Sequence, residues 1–333
     1  MLFGEQPVDQ TEQAIVAHSI KLKHRALKKG HVITAADIAE LRQEGINSIV
    51  VARLEAGDID ENTAALALAQ AVTGEHMQAD SPFTGRCNIR ATRHGLLHVN
   101  RSAIDTINQV HESLTIATLP HLAHIKPEEM IATVKIIPFA VAAATLESGV
   151  AAARRMQPVL DIRPFRPQRV GFIQTRLAGT REQVLDKTTA VQTERLADLE
   201  YTIAREIRCH HDSNELTQAL QTLLKMDLDV IMIFGASAIV DRRDIIPTSI
   251  INSGGVVLHY GMPTDPGNLL LLGRHGERPV LGLPGCARSP KLNGLDLVLR
   301  KLAADMPVTP ADIMAMGTGG LLQEIKSRPQ PRE

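Results

Sequence analysis

Three short turns in the second half of the chain concentrate residue types that handle anions. The first follows the apolar run DVIMIFG, where Gly235, Ala236, Ser237 and Ala238 lead through Ile239 and Val240 to Asp241, Arg242, Arg243 and Asp244. Small residues let a ligand approach the backbone, and amides near a helix start suit a phosphate or carboxylate. Arg242 and Arg243 are placed to neutralise such an anion, while Asp241 and Asp244 have the chemistry to hold Mg²⁺ or cap the helix. The same residues also fit a plain strand-to-helix turn, with Asp244 as N-cap and a solvated arginine pair. The second turn, GMPTDPGN, sets Gly267 and Asn268 beside Asp265. The third, GLPGCARS, carries Pro284, Gly285, Cys286, Arg288 and Ser289 ahead of a helical stretch. A thiol at a helix N-terminus has a lowered pKa, which would make Cys286 reactive; packed against apolar neighbours it would be inert. His210, His211 and Asp212 are adjacent rather than spaced for ligation, and read as an exposed polar turn without a metal.

The elements that must position these turns alternate from Val170 onward. VGFIQT is a short strand, and Val184, Thr188, Val191, Arg195 and Leu199 recur at helical spacing within 181–204. IRC forms a second strand, NELTQALQTLLKM a helix, DVIMIFG a buried strand and IIPTSIIN a short helix. VVLHYG, LLLLG and PVLGLPG add strands, and a last helix starts at Ser289-Pro290 and runs through LNGLDLVLRKLAA. This pattern predicts an α/β fold with a mainly parallel sheet covered on both faces in three α/β/α layers. Such sheets bind ligands at the carboxyl ends of their strands, where the strand order switches.

The first half reads differently. Thr34 caps a helix with Asp37 three residues on, Ile46–Val51 is a strand, and Asp60 opens the helix ENTAALALAQAV. Ser102 caps AIDTINQVH, and Gly95–Val99, Leu114–Ala117 and Ala132–Phe139 are strands, together an α+β region. Three prolines among arginines in MQPVLDIRPFRPQR mark a linker. The expected organisation is an α+β region at 1–155, a linker at 156–169, the α/β domain at 170–305 and an unpacked tail at 306–333.

Composition narrows the function classes. The 333 residues are 44% hydrophobic and 22% charged, values that exclude a disordered or fibrous chain. Lys+Arg 36 against Asp+Glu 37 leaves a net charge of −1, so no global field draws the chain to nucleic acid or an anionic membrane. Six Phe, two Tyr and no Trp provide poorly for base stacking. The stretch Ile131–Ala153 is interrupted by Lys135, Pro138 and Glu147 and is not a membrane span. MLFGEQPVDQ does not read as a signal peptide, and three scattered cysteines suit a reducing compartment; the expected location is cytoplasmic.

Taken in order, the three turns carry a resemblance. From about Val170 to Ala304 the chain resembles the molybdopterin-binding domain shared by molybdopterin adenylyltransferases and molybdopterin molybdenumtransferases. That domain has a Gly-Gly-x-Gly or Gly-Gly-x-Ser loop followed by Arg-Asp-x-x-Pro; here stand Gly235-Ala236-Ser237-Ala238 and Arg243-Asp244-Ile245-Ile246-Pro247. LDKT with Asp186 is similar to its Asp-Ser or Asp-Thr helix start, GLPG to its Leu-Pro-Gly-Asn-Pro loop, and Asp265-Pro266-Gly267-Asn268 takes the place of Lys-Pro-Gly-Lys. The first 150 residues also resemble the lead-in of the molybdenumtransferase, with 17–51 the most similar stretch. The whole chain looks most like the binding portion that some bacteria fuse to a nucleotidyltransferase acting on molybdenum cofactor, with SRPQPRE where such a fusion would continue.

The resemblance implies molybdopterin or molybdenum cofactor as ligand. Gly235 to Ala238 would cradle the phosphate, Arg243 would pair with it, and Cys286 and Arg288 would line the rim. Asp186 and Asp244 would act on a nucleotide or Mg²⁺ in an adenylyl-transfer or metal-insertion reaction that uses ATP. It also implies a homo-oligomer and a molybdenum cofactor nucleotidyltransferase as partner. Asp265 and Asn268 in place of two lysines reverse the local charge, which points to an alternative, a non-catalytic carrier or sensor of the cofactor. A nucleotide pyrophosphatase of the competence-damage type ranks third, because Ala238-Ile239-Val240 lacks its Gly-Pro-Thr signature.

Overall fold

Apolar residues alternate with polar ones along Arg86–Ala91, burying Cys87, Ile89 and Ala91 on one face. The computed structural model, which describes residues 1–322, makes this strand part of a four-stranded antiparallel sheet with Leu114–Thr118, Met130–Ile136 and Met77–Ala79. The helices Glu61–Val72, Arg101–Asn108 and Ala143–Arg155 pack on it around Leu68, Val72, Ile107, Leu146 and Val134. Ahead of these, Leu2–Pro7, Ser48–Arg53 and Ile15–Val16 form a small sheet next to the helix Ala35–Gln43. The Thr34 hydroxyl accepts the Asp37 amide while the Asp37 carboxylate accepts the Thr34 amide, the reciprocal cap expected from the spacing. Asp60 caps the next helix as read, through the amides of Asn62 and Thr63.

Several boundaries shift for local reasons. Asn100, not Ser102, caps its helix, because the Asn100 side-chain Oδ1 accepts the Ala103 amide and Ser102 falls in the first turn. The strand read at Ile46–Val51 begins at Ser48, since the Ile46 amide still donates to Leu41 to close the preceding helix. Residues 156–169 are not a free linker. Leu160–Pro164 is a strand beside Gly95–Val99 and His124–Ile125, and the chain divides into two compact units, Met1–Arg163 and Pro164–Glu333.

In the second unit the elements are β1 (Gln168–Arg176), α1 (Glu182–Ala197), β2 (Tyr201–His210), α2 (Ser213–Leu224), β3 (Val230–Phe234), α3 (Ile245–Asn252), β4 (Val256–Tyr260), β5 (Leu271–His275), β6 (Arg278–Leu283), α4 (Gly294–Ala303) and α5 (Pro310–Met314). The sheet order is β2-β1-β3-β6-β5-β4; the first four strands run parallel, β5 is antiparallel to β6 and β4 to β5. Ile173, Ile231 and Ile233 meet Leu216, Leu220 and Leu223 of α2 and Ile246 and Ile250 of α3 on one face. On the other, Gln174 Nε2 donates to the Leu185 carbonyl and Thr189 Oγ1 of α1, and Arg195 of α1 pairs with Asp296 of α4 at 2.8 Å. The unit is thus an α/β/α sandwich preceded by an antiparallel α+β unit, the fold class expected. The chain leaves β1 for β2 on one side and returns across β1 to β3 on the other. The crevice of such a sheet lies at the carboxyl ends of β1 and β3.

Three readings are corrected here. The α1 helix stops at Ala197, and the segment read as the short strand IRC is a ten-residue strand paired along β1. The α4 helix starts at Gly294, not at Ser289-Pro290. Asn293 and Asp296 form a reciprocal cap, whereas Ser289 has Leu292 three residues on and surrenders its carbonyl to Arg195 at 2.6 Å. Within the tail read as unpacked, Thr309 caps α5, Ile313 is buried and Asp312 pairs with Lys301 at 2.5 Å; SRPQPRE lies outside the described residues. No helix among the described residues is long and apolar enough to cross a membrane.

Asp312 supplies a pH test. The Lys301 ammonium and the Thr309 hydroxyl hold its carboxyl at about 2, below the unfolded value of about 3.9. Its contribution is complete above the unfolded value and is lost as pH falls toward 2. Urea midpoints should fall less steeply between about pH 4 and 2 in Asp312→Asn than in the parent; identical slopes would remove this ion pair from the stability of the unit.

Candidate functional site

The carboxyl ends of β1 and β3 are joined by one buried hydroxyl. Thr175 Oγ1, one residue before the end of β1, accepts the Ala236 amide at 2.8 Å and lies 2.8 Å from His211 Nδ1. His211 follows β2, with its amide donating to the Arg176 carbonyl at 2.9 Å. Its Nε2 lies 3.0 Å from Ser237 Oγ. The hydroxyl proton of Thr175 has one acceptor among the described residues, His211 Nδ1. This assigns the ring proton to Nε2, which donates to Ser237 Oγ and leaves the serine O–H for another acceptor. A reading of His211 as part of an exposed polar turn is therefore corrected: the ring is half-buried and holds the loop. Asp212 caps α2.

The loop itself is shaped by small residues. A Cβ on Gly235 would sit 2.6 Å from the Ser237 carbonyl oxygen, so the chain can double back only with glycine there. With the Ala236 amide taken by Thr175, the amides of Ser237 and Ala238 donate to no acceptor among the described residues. Ile239 is buried and its carbonyl accepts the Tyr260 hydroxyl at 2.6 Å, which anchors the far side of the loop. Ser237 and Ala238 are exposed, and neighbouring amides left without an acceptor are available to an anion.

Arg288 closes the other side from the turn after β6. Its Nη1 donates to Thr188 Oγ1 at 3.2 Å, its Nη2 lies 3.4 Å from the Gly235 carbonyl, and its guanidinium carbon sits 4.4 Å from the Phe234 ring centroid. No carboxylate among the described residues pairs with it, and burial lowers its pKa. Arg195, buried against the same turn, is the contrast: it donates to Asp296, to Gln192 and to the carbonyls of Ala287 and Ser289. Arg195 builds the Gly285–Arg288 turn, and that turn presents Arg288.

The remaining sequence candidates take other positions. Asp244 caps α3, with its oxygens accepting the amides of Ile245 at 2.7 Å and Val240 at 3.1 Å. Asp241 accepts from Arg243 Nε at 2.7 Å, and Arg243 is 91% exposed. Mg²⁺ does not fit this pair as arranged, because one carboxylate holds the loop backbone and the other already carries a guanidinium. Asp186 pairs with Arg208 at 2.8 Å, beside Glu182 and Glu206, on a different face of α1 from Thr188. Gly267 packs on α4, where a Cβ would fall 2.6 Å from the Gly294 nitrogen at a φ of +141°; the Asn268 carbonyl accepts the Met262 amide. Pro284 is buried and Gly285 faces open space. Cys286 lies in a 3-10 turn rather than at a helix start, and burial pushes its thiol pKa up, contrary to the reactive reading.

Sequence reasoning missed Thr175, Thr188 and His211. The one available signal was the polar pair Gln174-Thr175 ending an apolar strand, placed where parallel strands present ligands.

Comparison with known proteins gives little beyond this. A family model described as a domain of unknown function (DUF8806) matches residues 5–53. No curated protein matches the chain. Among solved structures it is similar to the molybdopterin biosynthesis protein MoeA from Pyrococcus horikosii, at 15% identity and a TM-score of 0.30, over 91% of this chain and 75% of that one. It is also similar to molybdenum cofactor biosynthesis protein B, at 16% identity and a TM-score of 0.29, over 41% of this chain and 87% of that one. The molybdopterin biosynthesis enzyme MoaB from Thermus thermophilus has 20% identity and a TM-score of 0.29, over 47% of this chain and 99% of that one. Similarity at this level fixes no function.

The thiol offers a direct check on the geometry. With iodoacetamide at about pH 7.5 and peptide mapping, Cys286 should alkylate several-fold more slowly than free cysteine, and faster as pH rises. Alkylation faster than free cysteine would restore the reactive reading.

Proposed function

We propose that the Pro164–Glu333 unit binds the phosphate-bearing end of molybdopterin or molybdenum cofactor at the carboxyl ends of β1, β3 and β6. The observation that carries the reading is Arg288, a half-buried guanidinium at the switch in strand order with no carboxylate partner among the described residues. Burying a cation without a counter-ion is unfavourable, and an anionic ligand relieves that cost. The Ser237 and Ala238 amides and the Ser237 hydroxyl face the same anion, so a phosphate would receive neutral donors from β3 and a charged one from the turn after β6. The choice of a pterin among phosphorylated ligands rests on the sequence resemblance from Val170 to Ala304.

One observation favours the carrier over the enzyme. The three carboxylates that would do adenylyl-transfer or metal-insertion chemistry, Asp186, Asp241 and Asp244, are each engaged by protein donors. A site that keeps its anion donors but has its acids committed holds a ligand for another protein to act on. In this reading the partner is a molybdenum cofactor nucleotidyltransferase, and ATP and Mg²⁺ are not consumed. Three free cysteines accord with a reducing, cytoplasmic setting, and self-association into a homo-oligomer belongs to the same proposal.

Anaerobic calorimetric titration of the full chain with molybdopterin, alone and then with Mg²⁺-ATP while AMP and pyrophosphate are followed, tests both readings. Saturable binding without nucleotide turnover is expected; turnover would make the chain an enzyme, and absence of binding would end the pterin assignment. Arg288→Ala should weaken binding by about 1.5–3 kcal/mol, the worth of a charge-assisted hydrogen bond. Arg243→Ala, whose guanidinium is exposed and already paired with Asp241, should change it little. The reverse order would reassign the phosphate contact to Arg243.

A further inference from the structure

A second charged cleft lies wholly within the Met1–Arg163 unit and is used by nothing described above. It encloses about 640 Å³ where Phe3 and the Lys29-Gly30 turn face Arg86, Lys135 and the Ile137–Phe139 turn. That volume is in the range of small-molecule sites. Lys29, Arg86 and Lys135 line it against a single acid, Glu61. Lys135 is accounted for: its Nζ lies 3.5 Å from Glu61 Oε2 and donates to the Thr84 carbonyl at 2.5 Å. Lys29 and Arg86 are not. Among the described residues neither meets a carboxylate; Lys29 Nζ sits 5.4 Å from the Phe139 ring centroid, and Arg86 Nη1 donates to Thr133 Oγ1 at 3.2 Å.

The walls between these cations are apolar and open. Phe3 is 59% exposed and Ile137 58%, and Phe3 and Phe139 are two of only six phenylalanines in the chain. Large apolar side chains left bare beside uncompensated cations define a ligand of mixed character. A purely apolar molecule would leave the cations unpaired, and a simple inorganic anion would leave Phe3 and Ile137 in water. Phe139 is itself buried, with the Lys29 ammonium over its ring, so it fixes that cation at the edge of the cleft while Phe3 and Ile137 supply the bare apolar surface.

We propose that this cleft binds a small aromatic anion, with its flat body against Phe3 and Ile137 and its acidic group between Lys29 and Arg86. The proposal is independent of the pterin site in the other unit.

The test uses the full chain and two fluorescent probes that differ in charge. 8-Anilinonaphthalene-1-sulfonate should bind saturably at one site per chain, while N-phenyl-1-naphthylamine, the same rings without the sulfonate, should bind more weakly. Lys29→Ala and Arg86→Ala should each weaken the sulfonate probe on the order of tenfold and leave the neutral probe nearly unchanged. Arg86→Lys, which keeps the charge, should retain most of the affinity, and circular dichroism melts identify any variant that fails to fold. Arg288→Ala should leave the sulfonate probe unaffected. Absence of saturable binding, equal affinity for the two probes, indifference to Lys29 and Arg86, or loss of binding in Arg288→Ala would each overturn the assignment.

Discussion

A single buried hydroxyl organises the end of the sheet where chemistry can take place. Thr175 accepts the amide of Ala236 and donates its hydroxyl to His211 Nδ1, so one side chain couples the carboxyl ends of β1, β2 and β3. Inside a protein an unmet polar atom costs roughly 1–3 kcal/mol, and every member of this relay has a partner. The relay fixes which loop amides are spent and which are left over. Ala236 is spent; Ser237 and Ala238 are left over, and Ser237 receives its orientation from His211. Valine at 175 would keep the shape, orphan the Ala236 amide and release the histidine ring together.

Charge follows the same division between construction and function. Arg195, Arg208 and Arg243 are all satisfied by carboxylates, and each serves the fold or the loop that carries it. Arg288 has a hydroxyl, a carbonyl and an aromatic face, none of which neutralises it. The difference separates an arginine that holds a turn in place from one that the turn presents. The acids serve construction too: Asp244 caps α3, Asp312 completes the reciprocal cap of α5 with Thr309, and Asp186 lies within the carboxylate group around Arg208.

Much of the architecture was legible in the sequence because it follows from local rules. The fully apolar run Val230–Phe234 reads as a strand buried on both faces, and the caps at Thr34, Asp60 and Asp244 follow from side-chain spacing. What failed depended on distant partners. Ser289-Pro290 has the composition of a helix start, but its carbonyl is claimed by Arg195, more than ninety positions earlier, and the helix waits for Asn293. His211 looked like surface because its two partners, Thr175 and Ser237, are 36 and 26 positions away. Arg243 drew attention as the arginine of a motif, yet its neighbour Asp241 answers it locally. Arg288 became the stronger candidate only once the absence of such a neighbour could be seen.

The central claim is that the Ser237 and Ala238 amides and the Arg288 guanidinium receive an anionic pterin. Two-dimensional ¹⁵N–¹H NMR of the full chain, titrated anaerobically with molybdopterin, reads those donors individually. The largest downfield shifts are expected on the Ser237 and Ala238 amides, with the Arg288 side chain responding alongside them, while Asp241 to Asp244 move little. Saturable binding whose shifts gather elsewhere, with these two amides unchanged, would contradict it.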